Sequence, residues 1–137
     1  MGQAKPFHPT ALVVEDDPMQ REMISLLLEE SDFDVIECES AEAAALVLHR
    51  MAGRIALVMT DVSLAGSMDG VTLAHVAKRC DPTLEVIVTS GSPVPHPLPE
   101  GVEFWSKPWA PLDVIRMAER KSIALQAGRN EGPRKHS

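Results

Sequence analysis

The chain has 137 residues, enough for one domain of ordinary size and too few for a second. Hydrophobic residues make up 45% and charged residues 24%, so a core can form without staples, and Cys38 and Cys80 are spaced for neither a CxxC redox pair nor a metal knuckle. A formal net charge of −7 argues against a nucleic-acid partner, and no apolar run approaches the roughly 20 residues that span a bilayer.

Residues 1–9, MGQAKPFHP, lack the apolar stretch of a signal peptide and are expected to form a flexible arm on a cytoplasmic protein with reduced thiols. Ala11 to Val14 is a short apolar run closed by acids, the pattern of a strand buried on both faces. Pro18 opens a helix to Glu30, with Met19, Met23 and Leu27 at helical spacing and Asp17 as its cap. Asp34 to Cys38 reads as a second strand, and Ser40 caps an alanine-rich helix that runs to about Met51 and is stopped by Gly53. Ile55 to Met59 is a third strand that ends on Thr60 and Asp61. A glycine-bearing loop from Leu64 to Gly70 then leads into a helix from Val71 to Arg79, broken by Asp81-Pro82. Leu84 to Val88 and Val102 to Trp105 complete the strands. Pro111 starts a last helix that is expected to fade near Ala127, leaving 128–137 as a polar, basic tail and 10–127 as the domain.

Strands and helices that alternate in this way imply an α/β fold with a parallel sheet and helices on both faces. Between the fourth and fifth strands the helix is missing. The segment SPVPHPLPEG carries Pro93, Pro95, Pro97 and Pro99 at every second position, which excludes an ordinary helix and favours an extended loop.

In open α/β sheets the working site lies beyond the carboxyl ends of the strands. Glu15, Asp16 and Asp17 follow the first strand, Asp61 the third, Thr89 and Ser90 the fourth, and Lys107 the fifth. Carboxylates crowded on one edge repel each other unless a cation sits among them, and an all-oxygen set without a His or Cys cluster suits Mg²⁺. A hydroxyl and an ammonium opposite would contact phosphoryl oxygens. Asp17 has a second reading at this stage, as metal ligand or as helix cap.

The pieces LVVEDDP at 12–18, TDVSLAGSMDG at 60–70, VTSG at 88–91 and FWSKPW at 104–109 resemble response-regulator receiver domains, over about Thr10 to Ala127. The resemblance implies a doubly wound, flavodoxin-like, five-stranded sheet in the order 2-1-3-4-5, here with its fourth helix reduced or absent. It implies Asp61 as phospho-acceptor, Asp16 as direct Mg²⁺ ligand, Glu15 as a ligand through water and the Ser63 carbonyl as a further ligand. Thr89 and Lys107 would contact the phosphoryl group, and Lys107-Pro108 would be cis. Phe104 stands at the position of an aromatic that changes rotamer on activation, with plain core packing as its other reading. The partners implied are a sensor histidine kinase or phosphotransfer protein and a downstream protein.

Two departures stand out: Ala65 replaces a usual proline in a slightly long loop, and the proline-rich segment removes part of the face that many receivers use to meet partners or dimerise. The short tail leaves no room for an output domain, so a stand-alone protein is expected, with a piece of a hybrid kinase as the alternative. Signalling by conformational change competes with a phosphate sink and with a binding module that is never phosphorylated. An Asp-nucleophile phosphatase would need a second carboxylate at position 63, where Ser63 stands, and a flavodoxin-like phosphate cradle is opposed by the acids at 15–17. No enzymatic turnover of an external substrate is expected.

Overall fold

The computed structural model describes residues 8–51 and 53–131, the last three by backbone alone, so most of the expected arm and positions 132–137 of the expected tail lie outside the described residues. The chain forms β1 (Thr10–Val14), α1 (Pro18–Glu30), β2 (Asp34–Cys38), α2 (Ala41–Arg50), β3 (Ile55–Asp61), α3 (Gly70–Cys80), β4 (Glu85–Ser90), β5 (Glu103–Ser106) and α4 (Pro111–Glu131). All strand pairings are parallel, and the five-stranded sheet runs β2-β1-β3-β4-β5.

Alternate residues of the inner strands feed two separate cores. Leu12, Val14, Val58, Val86 and Val88 pack under α2 and α3, while Ala11, Val13, Leu57, Met59 and Ile87 pack under α1 and α4. Burial on both faces is why these strands read as continuous apolar runs instead of alternating ones. The helices start where short polar side chains take up orphan backbone amides. Asp17 accepts from the Met19 and Gln20 amides, Ser40 from Ala43 and Asp69 from Thr72. Asp17 is thus a helix cap.

Several boundaries shift by one residue from the sequence expectation, as in β5 at Glu103–Ser106, and two helix or strand ends extend further. β4 runs on through Thr89 and Ser90, because Asp61 and Thr89 are register partners in the β3–β4 ladder. α4 continues past Ala127 to Glu131. A single glycine, Gly128, costs a helix only about 1 kcal/mol, and the sequence offers no stronger breaker before Gly132-Pro133.

Among the described residues no helix lies between β4 and β5. The proline-rich loop there covers the sheet instead, with Val94, Leu98 and Val102 partly buried against the α2/α3-side core. It is fastened to its neighbours by His96 Nε2 on Asp69 Oδ2 at 2.9 Å and by His75 Nε2 on the Pro97 carbonyl at 3.0 Å. No described helix is long and apolar enough to cross a membrane.

Candidate functional site

The chain leaves β1 for β2 on one side and returns to β3 on the other, so a crevice opens between the carboxyl ends of β1 and β3. Glu15 sits in it, 3% exposed. Its backbone amide donates to the Cys38 carbonyl, its own carbonyl accepts from Arg21 Nη1 at 2.7 Å, and its Oε2 accepts from the Asp17 amide at 3.1 Å. Asp61 ends β3 with its side chain 11% exposed. Gly70 packs so closely on the Asp61 carbonyl that a Cβ would collide with it, and the Gly70 amide donates to the Val62 carbonyl. Glycine is therefore required where α3 starts beside the acid.

Lys107 reaches this pair from just beyond the carboxyl end of β5. Its Nζ donates to Asp61 Oδ2 at 2.9 Å and to Gln20 Oε1 at 3.5 Å, and lies 4.0 Å from Glu15 Oε1. The Lys107 amide donates to the Ser90 carbonyl at 2.8 Å, just before the cis Lys107-Pro108 bond. Thr89 is abreast of Asp61 on β4, 3% exposed, and its carbonyl accepts from the Val62 amide.

Two buried carboxylates thus share one ammonium. Burial pushes the Glu15 carboxyl up to about 7; the Asp61 charge adds to this, while the Asp17 amide and Lys107 oppose it. Asp16 and Ser63 are exposed at the rim. Among the described residues no three His, Cys, Asp or Glu side chains close around one point, so there is no preformed cage. An open, all-oxygen set with uncompensated negative charge fits Mg²⁺, which retains several of its own waters.

The structure therefore brings Glu15, Asp61, Thr89 and Lys107 together and places Asp16 and Ser63 at the mouth. Phe104 lies apart, opposite Val88, 39% exposed and outside both buried cores. Its neighbour Trp105 instead packs on the α1/α4 side and meets Trp109 edge-on at 6.4 Å. Gln20 was not anticipated, since a helical Gln carries no signal of its own. Nor was Glu42, whose carboxylate binds the loop after Asp61.

The sequence profile described as the response regulator receiver domain matches residues 11–104, ending just short of Lys107. A transcriptional regulatory protein, AruR of Pseudomonas aeruginosa, is 38% identical over 70 residues, 49% of this chain and 28% of that protein. A cyclic di-GMP phosphodiesterase of Thermotoga maritima is 33% identical over 81 residues, 59% of this chain and 21% of that protein. The chain thus spans less than a third of these curated relatives. Among solved structures, the receiver domain of the hybrid histidine kinase CckA is 28% identical with a TM-score of 0.71, covering 82% of this chain and 97% of that one. A response regulator receiver protein from Sinorhizobium medicae shares the fold at 23% identity and a TM-score of 0.75, covering 85% and 96%.

Proposed function

The chain belongs to the response regulator receiver domain family of two-component signalling, and on that premise we propose that Asp61 accepts a phosphoryl group from a sensor histidine kinase or phosphotransfer protein. The observation that carries this reading is Lys107 Nζ at 2.9 Å from Asp61 Oδ2, with Glu15 buried beside them and Thr89 abreast. Lys107 occupies Oδ2 and leaves Oδ1 as the nucleophile. Oδ1 bonds to phosphorus as the bond from phosphorus to the donor nitrogen breaks, and the leaving imidazole takes up a proton. Lys107 then transfers its hydrogen bond to a phosphoryl oxygen, and the Thr89 hydroxyl donates to another.

Asp16, Asp61 and the Ser63 carbonyl would hold Mg²⁺ directly and Glu15 through water. When bound, the ion supplies positive charge to the phosphoryl oxygens and to the crowded carboxylates. Water later cleaves the acyl phosphate, so the chain catalyses only its own phosphorylation and its loss. Ser63 stands where a phosphatase of this chemistry needs a second acid, which disfavours turnover of external esters.

The donor would dock beside the site on α1, whose exposed face offers Met19 at 79%, Met23 and Leu26, in a groove also lined by Glu22 and Glu30. Output would pass to a protein partner by conformational change, with a phosphate-sink role as the alternative. The test is incubation with Mg²⁺ and a small acyl-phosphate donor, followed by intact mass. One alkali-labile phosphoryl group is expected, lost in Asp61→Asn. Labelling of that variant at the wild-type level would sink the assignment.

A further inference from the structure

The loop between Asp61 and α3 is held from outside the site, by the start of α2. Glu42 lies in the first turn of α2. Its Oε2 accepts from the Ser67 amide at 2.9 Å, the Ser67 hydroxyl at 3.1 Å and the Met68 amide at 3.0 Å. Beside it Ser40, the cap of α2, forms an isolated parallel bridge with Ala65. Gly66 adopts φ +96° between these contacts, and a Cβ there would stand 2.7 Å from Glu42 Oε1. The carboxylate therefore fits into the space that glycine leaves. The other anchors of the loop are its two ends: Gly70 closes on Val62, and Asp69 caps α3.

One detail shows that the side chain is placed for the loop and not for solvent. Glu42 Oε1 is buried without a hydrogen-bond partner among the described residues. A freely hydrated glutamate in a first helical turn would turn both oxygens to water, because an unpaired buried acceptor is costly. Here that cost is offset by three donors converging on Oε2. The carboxyl is also held below its ordinary range, by its own amide first and then by two of these loop donors, the Met68 and Ser67 amides.

We infer that Glu42 is a positioning residue for the phosphoryl-accepting site: it fixes the loop that carries Ser63, so that the Ser63 carbonyl is aimed at the metal position before Mg²⁺ arrives. Proline is absent from this loop, where Ala65 and Gly66 lie at its centre, so its backbone has little stiffness of its own. A clamp from α2 supplies the order that the loop sequence lacks, and preorganised support of a ligand raises affinity without touching the metal. The inference rests on the proposed metal role of the Ser63 carbonyl.

Two variants that both preserve helix-compatible residues separate reach from charge. Glu42→Gln loses the charge but keeps an oxygen at the same distance. Glu42→Asp keeps the charge but withdraws it by one methylene. Mg²⁺ titration by calorimetry, with folding checked by thermal melting, should find Glu42→Gln within about twofold of wild type. Glu42→Asp should be weaker by about tenfold, at the low end of what loss of an outer contact does to a metal ligand set. The rate of Asp61 phosphorylation by a small phosphodonor at subsaturating Mg²⁺ should follow the same order. The reverse order would assign the effect to long-range charge and overturn the inference, as would equal losses or no loss in the two variants. Wild-type protein that neither binds Mg²⁺ nor is phosphorylated would instead overturn the functional reading, and this inference with it.

Discussion

β1 and β3 deliver Glu15 and Asp61 from strands covered on both faces, whereas β5 delivers Lys107 from a sheet edge with a helix on one side only. The inner strands are almost wholly buried, while three of the four β5 residues are exposed. On the α2/α3 side of that edge the cover is the proline loop, which reaches the core through Val94, Leu98 and Val102. The acidic half of the site is thus fixed by packing, and the half bearing Thr89 and Lys107 adjoins the least supported part of the fold. The proposed switch would need this asymmetry: charges must stay put where a metal would bind, and movement is cheap only where few apolar contacts have to break.

Truncation on the two sides should reveal the difference. Leu57 is fully buried and Phe104 is 39% exposed. Leu57→Ala should cost about 3 kcal/mol in urea unfolding, and Phe104→Ala about 1 kcal/mol or less. Equal losses would mean that the β5 edge is held as firmly as the centre.

The buried acid gives the fixed half a pH signature. In the folded, metal-free chain Glu15 titrates at about 7, against an ordinary value of 4.5. The folded state therefore holds an extra proton between these values. Its contribution to stability is fully present below the lower value and is lost as pH rises through about 7. In EDTA, the urea midpoint should fall between about pH 5.5 and about pH 8, and this part of the slope should be missing in Glu15→Gln. Mg²⁺ favours the ionised carboxylate, so apparent affinity should rise with pH over the same window and then level off. A flat profile in wild type would show that Glu15 does not carry that proton.

The acidic half was legible in the sequence because each acid follows an apolar run, and the topology of parallel sheets puts such positions on one edge. The same logic found Lys107, and capping preference found Asp17 and Ser40 but not Asp69 at the start of α3. Neither could find contacts between residues far apart in the chain that look ordinary where they stand. Glu42 in a first helical turn is already explained by the helix dipole, so nothing marks it as a clamp on Ser67 and Met68. His96 in a run of prolines does not announce Asp69 as its partner, and Phe104 looks like core until the missing helix leaves it uncovered. The end of α4 escapes the sequence because the polar composition from Gly128 onward reads as a solvated tail, although it also suits the exposed last turns of a helix.

Gly91 lies on the less supported side, two residues after Thr89, as Ser63 lies two after Asp61 on the other. A Cβ at Gly91 would meet only Lys107 Cβ, at 3.9 Å, so a larger side chain fits. With both positions small, water should reach the phosphorus freely and the acyl phosphate should decay over minutes. Gly91→Leu should slow that decay severalfold by excluding water. Decay as fast as wild type would show that access from the β4 side is not limiting.

The smallest effect concerns the fastening of the proline loop. His96 and Asp69 are both partly exposed, at 41% and 32%, so their 2.9 Å contact contributes little to global stability. His96→Ala should change the urea midpoint by less than about 0.5 kcal/mol. Asp69→Ala should cost about 1 kcal/mol, because Asp69 also caps α3 through the Thr72 amide. Locally the same His96→Ala change should be visible. The amides of Val94, His96 and Leu98 donate to no acceptor among the described residues, so resonance positions report on them better than exchange rates do. If the loop is the part that moves when Thr89 is drawn inward, a phosphoryl mimic on the wild-type protein should shift these three amides in the direction that His96→Ala shifts them. The prolines on either side fix φ without tying the segment down by helical hydrogen bonds, so the loop can leave its seat as a stiff unit. Shifts confined to residues around Asp61 and Thr89 would leave it a passive cover. The signal would then have to leave through α1 or the exposed β5 edge instead.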